Sequence, residues 1–197
     1  VSSTTAQDAY SSISSTYKKA SGTEMVLFAN QSVGAGHQAN NPWLQEVPDT
    51  MSKVCWDNYI AVSPIDMRGD GLIQGGLEQG DVLTITLNGS EAKLPVVVQP
   101  GQKAGTIAVA LGYGRTKAGQ LAAGLNSEHK INAEGIAAIG SDVYDFVSVS
   151  NGTLNYNVSG VTVVKAGTTR RIAQTQTHHT IMGRDIVRES TIADYQK

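Results

Sequence analysis

Gly80-Asp81-Val82-Leu83-Thr84-Ile85-Thr86-Leu87-Asn88-Gly89-Ser90-Glu91-Ala92-Lys93-Leu94-Pro95-Val96-Val97-Val98-Gln99 spells out a hairpin. Between Val82 and Leu87, apolar and β-branched residues alternate with the period of a strand that buries one face. Asn88-Gly89 is the dipeptide of a tight two-residue turn. Lys93 to Gln99 forms the antiparallel return. Pro95 gives no N–H to a ladder, so it places this strand at an edge or a bulge.

Working outward, the same vocabulary repeats. Lys53 to Val62 reads as a buried strand stopped by Ser63-Pro64, and Pro64 suits the first turn of a short helix ending near Met67. Thr106 to Leu111 is a further strand, and Lys117 to Ala123 a short helix closed by Gly124. Val143 to Ser150, Thr153 to Ser159 and Val161 to Lys165 read as strands, with Asn151-Gly152 and Gly160 at the turns. Arg170 to Thr177 is a last strand, polar on both faces. Near the start, Ala6, Tyr10, Ile13, Tyr17 and Ala20 recur at helical spacing before Gly22, and Glu24 to Ala29 follows as a strand. Gln31 to Asn41 is loop by composition, and Ser190-Thr191 caps a terminal helix. Many short strands, glycine turns and few helices make a mainly β fold, a closed or nearly closed barrel.

Composition bounds what such a barrel does. The 197 residues suffice for one large domain, or at most two small ones. A formal net charge of -2 leaves no electrostatic footprint for nucleic acid. No apolar run approaches the roughly 20 residues that cross a bilayer as a helix, so direct membrane insertion is not expected. Val1-Ser-Ser-Thr-Thr does not read as a secretory leader. A single cysteine, Cys55, excludes an internal disulfide; between Val54 and Trp56 it reads as a small buried hydrophobe.

The chemistry-bearing patterns are sparse. The histidines are His37, His129, His178 and His179, and the adjacent pair would point to opposite faces of a strand. No metal-ligand spacing accompanies them, so no metal site is expected. Gly112-Tyr-Gly-Arg carries Tyr113 where a nucleophile elbow would need serine. The Gly-Ser steps at 89–90 and 140–141 read as turns, not self-cleavage sites. Two loops remain. Gly34-Ala-Gly-His-Gln-Ala-Asn40-Asn41 offers flexible backbone and amides, and Gly112-Tyr113-Gly114-Arg115 offers a ring face and a guanidinium able to grip phosphate. The first is poor in cations, with no Arg or Lys between Glu24 and Lys53.

In order, Asn40-Asn-Pro-Trp-Leu-Gln-Glu-Val-Pro-Asp49, Lys53 to Pro64, Glu78 to Ile85, Leu94 to Gln102 and Leu111-Gly-Tyr-Gly-Arg115 resemble the C-terminal domain of the molybdopterin oxidoreductases. The wording is most similar to the large iron–sulfur subunit of bacterial alternative complex III, as are His178-His179-Thr180 and Gly183 to Thr191. The resemblance covers more than half the chain, roughly Met25 to Arg115 and His178 to Tyr195. It implies a six-stranded double-psi β-barrel, aspartate decarboxylase-like, cut from a larger parent. Residues 1–30 would be a lead-in from the preceding domain, 31–180 the barrel with an insertion near 126–160, and 181–197 an exit toward a missing iron–sulfur domain.

The implied function is that of a molybdopterin dinucleotide-binding-like domain in a respiratory, quinol-oxidising electron-transfer complex. In that branch the molybdenum cofactor is thought to be lost. The domain would then be vestigial and structural, with no catalytic residue or cofactor of its own, and iron–sulfur clusters only in other parts of the parent. Its partners would be those other domains and neighbouring membrane-complex subunits, on the periplasmic side of the cytoplasmic membrane. Trp43, Trp56 and Tyr59 would anchor its core and interfaces. The alternative is a working domain that holds molybdopterin guanine dinucleotide through Asn40, Asn41, Gly112, Tyr113, Arg115 and His178.

Overall fold

A computed structural model describes residues 5–16, 20–117, 119, 121, 139–150, 152–178, 181 and 183–196. Its centre is a closed barrel of six strands. These are β1 (Thr23–Phe28), β2 (Ile60–Val62), β3 (Asp81–Leu87), β4 (Ser90–Val98), β5 (Thr106–Ala110) and β8 (Asn157–Thr169). Around the barrel they stand in the order β1-β5-β2-β4-β3-β8 and close back on β1. Strands β1 and β5 pair in parallel, as do β2 and β4; every other barrel pairing is antiparallel. Two short strands, β6 (Ser148–Ser150) and β7 (Thr153–Asn155), form a separate ribbon.

The alternation in the sequence becomes the barrel's inside. Met25, Ile60, Leu83, Ile85, Leu94, Val96, Ile107 and Val109 are fully buried, while Thr84 and Thr86 lie between them on the half-buried face. Each such aliphatic side chain contributes about 1.5–3 kcal/mol on leaving water, which fixes the strand register. The hairpin turns at Asn88 (φ = +51°) and Gly89 (φ = +87°), the left-handed pair that a two-residue turn requires. Pro95 pairs with Val82, one residue before β2 joins at Val96, so the N–H it lacks falls where β4 has a neighbour on one side only.

Small helices decorate the ends. Helix α1 spans Ala6–Thr16, and most of the remaining expected stretch to Ala20 lies outside the described residues. Helix α2 (Pro42–Glu46) is capped by Asn41 and α3 (Pro64–Met67) by Ser63, each with proline in its first turn. Thr191 caps α4 (Ile192–Tyr195). The helix expected from Lys117 to Ala123, and residues 126–138 of the expected insertion, lie mostly outside the described residues.

Four expectations need correcting. Residues 53–59 are not strand, because Lys53 (φ = +61°) and Trp56 (φ = +71°) turn left-handed and Asp49 Oδ1 accepts the Met51 and Ser52 N–H groups in a tight turn. Residues 144–146 form a 3₁₀ turn, leaving only Ser148–Ser150 as strand there. Gly160 does not end a strand. At φ = +77° it accommodates a bulge, Thr23 facing Val161 while Glu24 faces Ser159, and β8 runs straight through. Arg170–Thr177 reduces to one isolated bridge, Val54 to Gln174, and Gln176 (φ = +56°) turns left-handed just after it.

Candidate functional site

Because β1 and β5 run parallel with Phe28 opposite Ala110, the loops that follow them leave the barrel side by side. Strand β2 is antiparallel to β5, with Ile60 opposite Val109, so the segment before it reaches the same end. Three separate stretches, 29–41, 53–59 and 111–115, therefore meet over one barrel mouth. Val33, Ala110, Tyr113 and Ile139 form a second apolar cluster beneath them, joined by Phe28, Trp56 and Leu121.

The two loops nominated from the sequence touch. A β-carbon placed on Gly112 (φ = +93°) would lie 2.5 Å from the Gly36 backbone nitrogen, and one on Gly36 would lie 2.6 Å from Arg115 Nη1. Only residues without side chains let the chains approach this closely. Tyr113 is buried beneath the contact, and its hydroxyl accepts a 2.8 Å hydrogen bond from Asn30 Nδ2. Burial raises its phenol to about 12, so it stays protonated at neutral pH.

The nominated asparagines are engaged locally. Asn41 Oδ1 accepts the Trp43 and Leu44 N–H groups as the cap of α2. Asn40 Oδ1 accepts the Leu121 N–H at 3.0 Å. Arg115 is exposed and, with Thr116, Lys117, Tyr144 and Ala35, borders a hollow of about 420 Å³. Asp142 also borders it; its carboxylate accepts the Tyr144 N–H, while Tyr144 Oη donates to Ala35 O. No carboxylate pairs with Arg115 or Lys117 among the described residues. His178 is not part of this group; it borders a different hollow with Thr177, Ile181, Arg184 and Asp185. Trp43, expected as a core or interface anchor, is 76% exposed, whereas Trp56 is half-buried and Tyr59 buried.

The residues that hold this end together were not singled out beforehand. Asn58 is fully buried, and its amide donates to the carbonyls of Ala110 (3.0 Å) and Ser141 (2.9 Å). Its Oδ1 accepts the Ser141 N–H. Asp57 Oδ1 accepts the Gly140 N–H and an Arg170 Nη2 bond, both at 3.0 Å. Burial pushes the Asp57 carboxyl up, and the Arg170 guanidinium only partly offsets it. The signal was present: two short polar residues interrupt an apolar run between Trp56 and Tyr59, a place where side chains compete with a ladder for the backbone.

Chemically, the mouth holds a tight polar network around Asn58 and Asp57, and among the described residues Arg115 and Lys117 form a cationic rim without a carboxylate partner. Among the described residues no three His, Cys, Asp or Glu side chains are grouped to hold a metal ion, and no helix is long and apolar enough to cross a membrane. No protein-family model matches this chain, and no curated protein sequence matches it.

Proposed function

We propose that this chain is a molybdopterin dinucleotide-binding-like barrel domain, of the double-psi type, that serves as a structural part of a larger electron-transfer protein. It carries no cofactor of its own in this reading, and it contributes surface to other domains and subunits of a respiratory complex. Two parallel strand pairs set around the antiparallel contact of β5 with β2 support the double-psi assignment. The observation that carries the functional reading is the contact of Gly36 with Gly112. The cleft between these loops, where the resemblance puts a dinucleotide arm, is closed by backbone on backbone. Tyr113, Asn40 and Asn41 are at the same time occupied inside the protein.

One observation favours the alternative, a domain that still grips molybdopterin guanine dinucleotide. Arg115 and Lys117 border the neighbouring hollow without a carboxylate partner among the described residues, a fitting rim for a phosphate. Calorimetric titration with GDP and with molybdopterin guanine dinucleotide separates the two. The structural reading expects no heat at millimolar ligand. Micromolar binding that disappears in Arg115→Ala overturns it in favour of the cofactor-holding domain.

A further inference from the structure

Past Thr169 the chain continues β8 as an extended segment whose two edges meet different fates. On one edge, Cys55 N–H donates to Ala173 O (2.9 Å) and Thr175 N–H donates to Lys53 O (3.0 Å). These bonds flank the bridge of Val54 with Gln174, which makes those two residues the non-hydrogen-bonded pair of an antiparallel ladder. The N–H and C=O of Gln174 therefore face the other edge, and by the period of two so do those of Ile172.

That other edge begins paired. Arg170 N–H donates to Gly80 O at 2.7 Å, extending the contact of β8 with β3. It then loses its neighbour, because the chain upstream of Gly80 turns away, with Asp81 N–H donating to Glu78 O. Among the described residues, nothing accepts from the Ile172 or Gln174 N–H. The place β3 would fill if it were longer opens onto a hollow of about 890 Å³, bordered by Glu46, Cys55, Trp56, Gln79, Arg171 and Ile172.

We propose that this edge is a β-addition site, taking an extended segment of a partner protein as one further strand in the place β3 vacates. Backbone donors and acceptors at alternate residues select an extended chain with free N–H groups, so a proline-free segment. Trp56, Cys55 and Ile172 give its inward side chains an apolar wall. Arg171 is exposed and has no carboxylate partner among the described residues, so it selects an Asp or Glu on the incoming strand. A second copy of this chain is the poorer occupant. Antiparallel self-pairing about Ile172 would set Arg170 opposite Gln174 and Arg171 opposite Ala173, so Arg171 would meet no carboxylate on the added strand. This edge borders the mouth's 53–59 stretch through Cys55 and Trp56 but binds through the backbone of Ile172 and Gln174, so it stands whether or not the mouth binds a dinucleotide.

The test uses the full chain and the peptide Ac-Thr-Val-Asp-Val-Thr-Val-NH2, followed by amide NMR shifts and hydrogen exchange. Saturable binding is expected, with the Ile172 and Gln174 amides gaining about tenfold protection, the factor one net hydrogen bond provides. Methylating alternate peptide nitrogens should abolish it. Gln174→Pro deletes the outward N–H, which makes no bond to Lys53 or Cys55, and should weaken binding about tenfold. Gln174→Ala keeps that N–H and should retain binding, which separates the backbone from the side chain's own bonds to Ser52 and Gln79. If the proline variant misfolds, the methylated peptide carries the comparison alone. No saturation at millimolar peptide, equal binding of the methylated peptide, or self-association of the chain through Ile172 and Gln174 each overturns the proposal.

Discussion

Asn58 and Ser141, 83 positions apart, exchange two hydrogen bonds: Asn58 Nδ2 donates to Ser141 O and Ser141 N–H donates to Asn58 Oδ1, each at 2.9 Å. A side-chain amide here stands in for one strand of a ladder. A third bond, from Asn58 Nδ2 to Ala110 O, ties the end of β5 into the same knot. Asn58→Ala leaves buried backbone groups on two segments without partners, so it should cost about 2–4 kcal/mol in denaturant unfolding. Asn58→Asp should be no better, because a carboxylate offers no donor to the two carbonyls. A loss below about 0.5 kcal/mol, the range of an ordinary surface change, would show that water replaces the amide.

Gly112→Ala tests the closed mouth. The new methyl would stand 2.5–2.8 Å from the backbone of Ala35 and Gly36, and φ = +93° is itself adverse for a residue with a side chain. Gly89→Ala serves as the comparison, with φ = +87° and nothing within 4 Å. Backbone strain alone should cost the turn variant about 1–2 kcal/mol, and overpacking should add about 1–3 kcal/mol at Gly112. Equal losses would mean that the loops separate easily, and the functional reading built on their contact would fall.

Of the seven tyrosines, Tyr59 and Tyr113 should ionise last in an ultraviolet pH titration, both near pH 12, because burial disfavours their phenolates. A native value above the unfolded 10 means the folded chain keeps protons that the unfolded chain releases. Stability should therefore fall as pH rises from about 10 to 12. Tyr113→Phe should remove part of that slope; an unchanged alkaline limb contradicts its burial.

Acid should act through Asp81. The Glu78 N–H at 2.8 Å, then Lys165 Nζ at 2.8 Å, hold its carboxyl below 3.8. A depressed native value stabilises the fold above the unfolded value, and that contribution disappears as pH falls through the depressed one. Asp81→Asn should flatten the acid limb of a stability profile and lower stability at neutral pH. A limb identical to that of the parent chain would place the acid sensitivity elsewhere.

What the sequence determined by itself was local. Asn88-Gly89, Ser63-Pro64 and the alternation from Val82 to Leu87 act through their own backbone preferences and neighbours within a few residues, so the hairpin, the α3 cap and the buried faces were legible in advance. The two glycine loops were legible as barrel-end loops for the same reason. Only the tertiary structure decided the closure order β1-β5-β2-β4-β3-β8, the contact of Gly36 with Gly112, the burial of Tyr113, and the exposure of Trp43. It also turned Trp56 left-handed inside what the composition made a strand, since Asp57 and Asn58 gain more from partners in β5, 140–141 and 170 than a straight ladder would offer. Such bonds join residues 52 to 113 positions apart. No local periodicity encodes them, because they exist only after the barrel has brought the segments together.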